Sequence, residues 1–201
     1  ALLNGNTSLK LTLEDLYLQD DSMDRLHASF TVYYASPDRR YLIGHDISVL
    51  VSAPEELPLY LLVMQHALDG KLRMEDKLTV TAKDKVPICG ALTLFTDDVT
   101  VDIRTLCRLM ISISDNTATN RLIDHLSIPA IQEGFKAFGL EKTVLRRKLF
   151  DRAASRAGIQ NTISPKEMGM LLEKLYRNQF VSPEICREAL DTLGKQQVDH
   201  K

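Results

Sequence analysis

The stretch MISISDNTATNRLIDHL, Met110 to Leu126, joins two runs of helical periodicity through three consecutive polar residues, Ser114, Asp115 and Asn116. Upstream, Ile103, Leu106, Cys107, Met110 and Ile111 form one apolar stripe behind Asp102, a residue suited to cap a helix. Downstream, a second helix is expected to begin near Thr117. A bland reading makes Asp115 or Asn116 no more than the cap of that helix. A chemical reading gives all three a part in a reaction. The Ser114 hydroxyl passes protons, the Asn116 amide donates to a substrate carbonyl, and Asp115 accepts backbone N–H groups and holds the other two in place. Spacing alone leaves both readings open.

The flanking chain places this turn in a mostly helical body. Leu57 to Leu68 is apolar almost all round and stops at Gly70, as expected of a helix at the centre of a core. Pro129 opens another helix, with Ile131, Phe135 and Phe138 on one face and Gly139 at its end. Ser164-Pro165-Lys166-Glu167 and Ser182-Pro183-Glu184 each pair a Ser cap with Pro in the first turn. Ahead of the helices, HASFTVYY, His27 to Tyr34, alternates apolar and polar residues, breaks at Ser36-Pro37-Asp38 and resumes over Tyr41 to His45. That pattern predicts a β-hairpin with one buried face.

Length and composition exclude several classes. The 201 residues, 44% hydrophobic and 26% charged, suit one globular domain that buries roughly 70% of its unfolded surface. A net charge of -2, with no basic stripe, argues against nucleic acid. No apolar run reaches the ~20 residues of a membrane span, and ALLNGNTSLK lacks the pattern of a signal peptide. Cys89, Cys107 and Cys186 form no CxxC pair, and Cys107 reads as a small buried apolar residue. The five histidines show no ligand spacing, so neither a metal nor another cofactor is expected.

Ser114-Asp115-Asn116 resembles the SDN signature of the class A β-lactamase and penicillin-binding-protein superfamily, whose three marks are SxxK, SDN and KTG. The likeness continues through Thr117-Ala118-Thr119-Asn120. It extends to LPLYLLVMQHALDGKL, similar to the long helix that follows SxxK, and to VDIRTLCRLMISISDNTATNRLIDHL, similar to the helix leading into SDN. FGLEKTVLRRKLFD, Phe138 to Asp151, resembles compact bacterial relatives of the class A enzymes. The resemblance implies an α+β, serine β-lactamase-like fold: one domain over residues 1–201, with a hairpin segment over 1–50 and a helical lobe over 51–201.

The chain departs from the family at its first mark. Aligned on Leu57-Pro58, Ala53 stands at the position of the nucleophilic Ser and Glu56 at that of the Lys. Ala53 has no oxygen with which to attack, and Glu55 and Glu56 put two carboxylates where an anionic substrate would approach. At ~4 Å and an effective dielectric near 20, such like charges repel by about 4 kcal/mol. Ser52-Ala53-Pro54-Glu55 instead fits a capping box, with acids at the positive end of the helix dipole. Ser52, displaced by one residue, is the alternative nucleophile, although its i+3 partner is Glu55 rather than a Lys.

The remaining marks are weaker still. The loop that carries the deacylating Glu in class A enzymes corresponds to VLRRKLFDRAASRAGIQNTISP, which contains no Glu. Asp151 is its one carboxylate and Asn161 the amide that would help it hold a water; the competing expectation pairs Asp151 with Arg147 or Arg152. Arg146-Arg147-Lys148 reads as a solvated or ion-paired loop. No KTG occurs, and the sequence stops at Val198-Asp199-His200-Lys201, ahead of the family's C-terminal strands. Those strands are expected from an omitted C-terminal part, from another chain, or not at all in a shortened variant. The favoured function is a pseudoenzyme whose cleft at Ser114, Asp115 and Asn116 is inert or binds a peptidoglycan-like peptide, a β-lactam-like small molecule or a protein partner. The alternative is an acyl hydrolase using Ser52. By resemblance alone, the protein works outside the cytoplasmic membrane.

Overall fold

In the computed structural model the described residues are 32–35, 40–43, 49–50, 56–87 and 89–197. The expected hairpin is present as β1 (Val32–Ala35) and β2 (Arg40–Ile43), antiparallel with Val32 opposite Ile43 and Ala35 opposite Arg40. The rest of the 27–45 pattern, the capping box at Ser52 to Glu55, and Ser52 and Ala53 as site positions lie outside the described residues. Two further ladders went unread in the sequence. β3 (Val49–Leu50) pairs with β6 (Thr162–Ile163), and β4 (Lys77–Val80) pairs with β5 (Val99–Asp102). Two-residue strands carry too little alternation to be seen, and β4 and β5 are partners 21 residues apart whose pairing is visible only in three dimensions.

The body is built on α1 (Glu56–Leu68), in which every residue from Pro58 to Met64 is buried. A helix apolar on all sides has to sit inside others, and α2 (Ile103–Ile113), α4 (Ile128–Ala137) and α7 (Pro183–Leu193) pack around it. Leu59, Leu61 and Val63 are 0% exposed, and each such side chain contributes about 1.5–3 kcal/mol of burial. Gly70, at φ +69°, ends the helix, and the Lys71 N–H reaches back to the His66 carbonyl at 2.9 Å. On one side Gly134 of α4 (Ile128–Ala137) lets Leu62 lie against the helix backbone, where a Cβ would collide with its δ-methyls. On another, the buried Tyr60 hydroxyl meets Thr192 Oγ1 of α7 (Pro183–Leu193) at 3.1 Å.

α2 (Ile103–Ile113) starts as its sequence predicts: Asp102 Oδ1 accepts from the Thr105 N–H at 2.7 Å, and the stripe from Ile103 to Ile111 is buried. α3 (Asn116–Leu126) follows after a two-residue turn. α5 (Arg152–Arg156) is a single turn, whereas α6 (Pro165–Tyr176) and α7 are each capped by the expected serine, Ser164 onto the Glu167 N–H and Ser182 onto the Ile185 N–H. Cys107 and Cys186 are buried, Cys89 is half-buried, and all three are free thiols. Burial pushes the Cys107 thiol well above its usual range, so it behaves as a small apolar side chain.

Candidate functional site

Ser114 closes α2 in the left-handed region, φ 50° and ψ 47°, with its N–H bonded back to the Leu109 carbonyl. A non-glycine residue held there stores roughly 1–2 kcal/mol of backbone strain. The conformation reverses the chain so that Asp115 can cap α3. Asp115 is 0% exposed: Oδ1 accepts from the Ala118 N–H at 3.0 Å and Oδ2 from the Leu92 N–H at 2.9 Å. A single carboxylate therefore caps a helix and also pins a distant loop.

That loop, residues 86–92 as far as it is described, is stitched along the first turn of α3. The Val86 N–H donates to Thr117 Oγ1 at 3.1 Å, the Asn116 N–H donates to the Cys89 carbonyl at 3.4 Å, and Asn116 Nδ2 lies 3.5 Å from the Pro87 carbonyl. Gly90 sits against the Asp115 carboxylate at φ +117°, and a Cβ there would overlap it outright. Only glycine meets both demands at this position.

Across the turn, the Ser114 hydroxyl donates to Glu56 Oε2 at 3.3 Å. Glu56 is the first residue of α1, so the start of the core helix and the end of α2 bring two half-buried polar groups together from 58 positions apart. Asn116, 7% exposed, turns its amide toward the loop. Ser114, Asp115, Asn116 and Glu56 thus share one locality.

Asp151 belongs to a different one. Its Oδ1 accepts from the Ala154 N–H at 2.9 Å and caps α5, in place of the expected pairing with Arg147 or Arg152. A short carboxylate at a helix start finds an unsatisfied N–H three residues on more readily than it finds a long, mobile cation. Arg147 turns instead to Ile159 O and Gln160 Oε1. Asn161 is spent as well: its Oδ1 accepts from the Arg146 and Arg147 N–H groups, and its Nδ2 donates to the Arg147 carbonyl. Asp151 and Asn161 thus both serve the backbone of their own segment. Lys148 does form the expected loop ion pair, 3.0 Å from Asp124.

Sequence reading passed over two anchors of this region. Asn120 of α3 binds the backbone of Leu149 twice, donating to its carbonyl at 3.0 Å and accepting from its N–H at 2.8 Å, which fixes the 145–151 loop to the helix after the polar turn. Glu167 of α6 accepts from the N–H groups of Glu141, Lys142 and Thr143 at 2.8–2.9 Å. The burial of both among apolar helix positions was the one available signal, and it exists only once the fold is known. Among the described residues no group of three or more His, Cys, Asp or Glu is placed to hold a metal, and no helix is long and apolar enough to cross a membrane.

Comparison with known proteins gives this locality a context. The profile of the "Beta-lactamase enzyme family" matches residues 56–201. A β-lactamase of Rhodobacter capsulatus is 31% identical over 144 residues, 69% of this chain and 48% of that protein, so the chain spans about half the length of this curated relative. Among solved structures, the β-lactamase of Sphaerobacter thermophilus DSM 20745 is 28% identical with a TM-score of 0.72, over 78% of this chain and 60% of its own. PBP-A is 26% identical with a TM-score of 0.69, over 78% of this chain and 58% of its own, and a point mutant of PBP-A has been solved as an acyl-enzyme complex with penicillin G. The α+β fold of the β-lactamase and penicillin-binding proteins is therefore the fold of this chain.

Proposed function

The chain belongs to the beta-lactamase enzyme family, and on that premise we propose that it is a non-hydrolytic member whose cleft at Ser114, Asp115 and Asn116 binds a cell-wall-like peptide without acylation. The observation that carries this reading is the hydrogen bond from the Ser114 hydroxyl to Glu56. The family resemblance puts a Lys at that position, a group able to relay protons and to attract an anionic substrate. A carboxylate there accepts the Ser114 hydrogen bond and turns the serine away from a leaving group, and it supplies no cation to relay a proton. Ala53, at the position where the family places its nucleophile, offers no oxygen to acylate. The buried supports of the turn, Asp115 above all, are retained, which favours a cleft kept for binding. The penicillin acyl-enzyme of a PBP-A mutant supports a small-molecule or peptide ligand, and a place outside the cytoplasmic membrane rests on the family resemblance alone.

The test is intact-mass spectrometry after incubation with excess reactive penicillin, beside a Ser52→Ala control and the double variant Ala53→Ser/Glu56→Lys. The native chain is expected to stay unmodified while calorimetry detects a muropeptide. A penicillin adduct on the native chain, lost in Ser52→Ala, would make it an acyl-transfer enzyme with a displaced nucleophile. Absence of any muropeptide heat would remove the binding half of the proposal.

A further inference from the structure

The 145–151 loop has a second face, turned toward the α3–α4 junction, which goes beyond the cleft at Ser114. A depression of about 410 Å³ runs between this loop and the start of α4, with Ile123, Ile128, Pro129 and Ala154 giving it an apolar lining. It adjoins a smaller one of about 220 Å³ that reaches Lys83 and Asp84, and the two share Asp124, Lys148 and Asp151. Together they form one groove, crossed by the Lys148–Asp124 ion pair.

Five cations line this groove against three carboxylates, and the carboxylates are already engaged. Asp124 holds Lys148, Asp151 caps α5, and Asp84 accepts from Thr81. The guanidiniums are served otherwise. Arg146 donates to the Gln160 carbonyl, and Arg147 to the carbonyls of Ile159 and Lys148 and to Gln160 Oε1. All are neutral acceptors, which leave the positive charge uncompensated. At the other end, Arg121 is paired with Asp84 at 3.6 Å and with Asp124 at 3.8 Å. Guanidinium groups with donors in hand, set beside apolar surface, are the usual complement of a carboxylate.

We propose that this groove binds an acidic peptide segment, with carboxylates directed at Arg146–Arg147 and apolar side chains lying on Ile128 and Ala154. A peptide can space its carboxylates so that they miss Asp124 and Asp151. A nucleic-acid strand, charged at every phosphate, would run against both.

The experiment is fluorescence anisotropy of the whole chain with a dye-labelled, end-blocked peptide in which Glu alternates with Leu and Ala, beside its Glu→Gln counterpart. Saturable binding of the Glu peptide is expected, weakened roughly ten-fold in the Gln peptide and in Arg146→Gln, as when a charge-assisted hydrogen bond is lost. Ala154→Glu, on the apolar lining, is expected to abolish it, and serves should Arg146→Gln fail to fold. Equal binding of the Gln peptide, indifference to both substitutions, or displacement by an oligonucleotide at equal concentration would overturn the proposal.

Discussion

Around α1 the interior is hydrocarbon; around the first turn of α3 it is carboxylate, amide and hydroxyl, at the same depth. Leu59, Leu61 and Val63 are as inaccessible as Asp115, Thr117 and Thr119. The first region is held by non-directional burial, in which a side chain can shift and still count. The second is held by hydrogen bonds that serve the irregular backbone: Asp115 on Leu92, Thr117 on Val86, Asn120 on Leu149, Asn161 on residues 146–147 and Glu167 on residues 141–143. A polar layer of this kind fixes position more tightly than apolar packing does, and fails more abruptly when one member is removed. It surrounds the turn at Ser114, Asp115 and Asn116.

The largest effect that would break this contrast is at Asp115. Asp115→Ala strands two buried N–H groups, and urea unfolding is expected to show a loss of about 4 kcal/mol. A loss below ~1 kcal/mol would mean that the polar layer is decoration. Gly90→Ala adds a Cβ against the same carboxylate at a positive φ and is expected to cost about 3 kcal/mol, with the penicillin and muropeptide assays serving to separate folding from binding.

Tyr60 sharpens the comparison, because it is a polar group set within the hydrocarbon layer. Burial, partly offset by its bond to Thr192, raises its hydroxyl from 10.0 to about 12. Below pH 10 both folded and unfolded states keep the proton and the stability is complete. Between pH 10 and 12 only the unfolded state ionises, so about 2–3 kcal/mol is lost over that window. The difference between native and Tyr60→Phe denaturation midpoints should isolate this slope; parallel profiles across pH 10–12 would refute it. The smallest effect is expected at Gly134→Ala. Its Cβ meets the movable end of Leu62, and the gain in helix propensity offsets part of the crowding, leaving a cost of about 1 kcal/mol by thermal melting. Equal costs at Gly90 and Gly134 would erase the distinction between the layers.

What the sequence showed is confined to short range. The stripe on α2, the caps at Asp102, Ser164 and Ser182, the stop at Gly70 and the hairpin of β1 and β2 each depend on residues within a few positions of one another, where periodicity and capping chemistry operate. The same range hid β3 and β6, which are too short to alternate, and misassigned Asp151, whose nearest unsatisfied donor outcompeted the arginines. The SDN triplet could be read as a turn that carries chemistry, and through resemblance as a family mark. Its neighbours could not be read. Glu56 reaches Ser114 across 58 positions, Asp115 holds Leu92 across 23, and Asn120 holds Leu149 across 29. The sequence by itself determined the six longer helices among the described residues and, at Asp102, Ser164 and Ser182, where three of them begin, while the single turn of α5 went unread. Tertiary structure alone decided which polar side chains share a site, because a hydrogen bond between distant residues depends on the packing of whole helices and leaves no period in the chain.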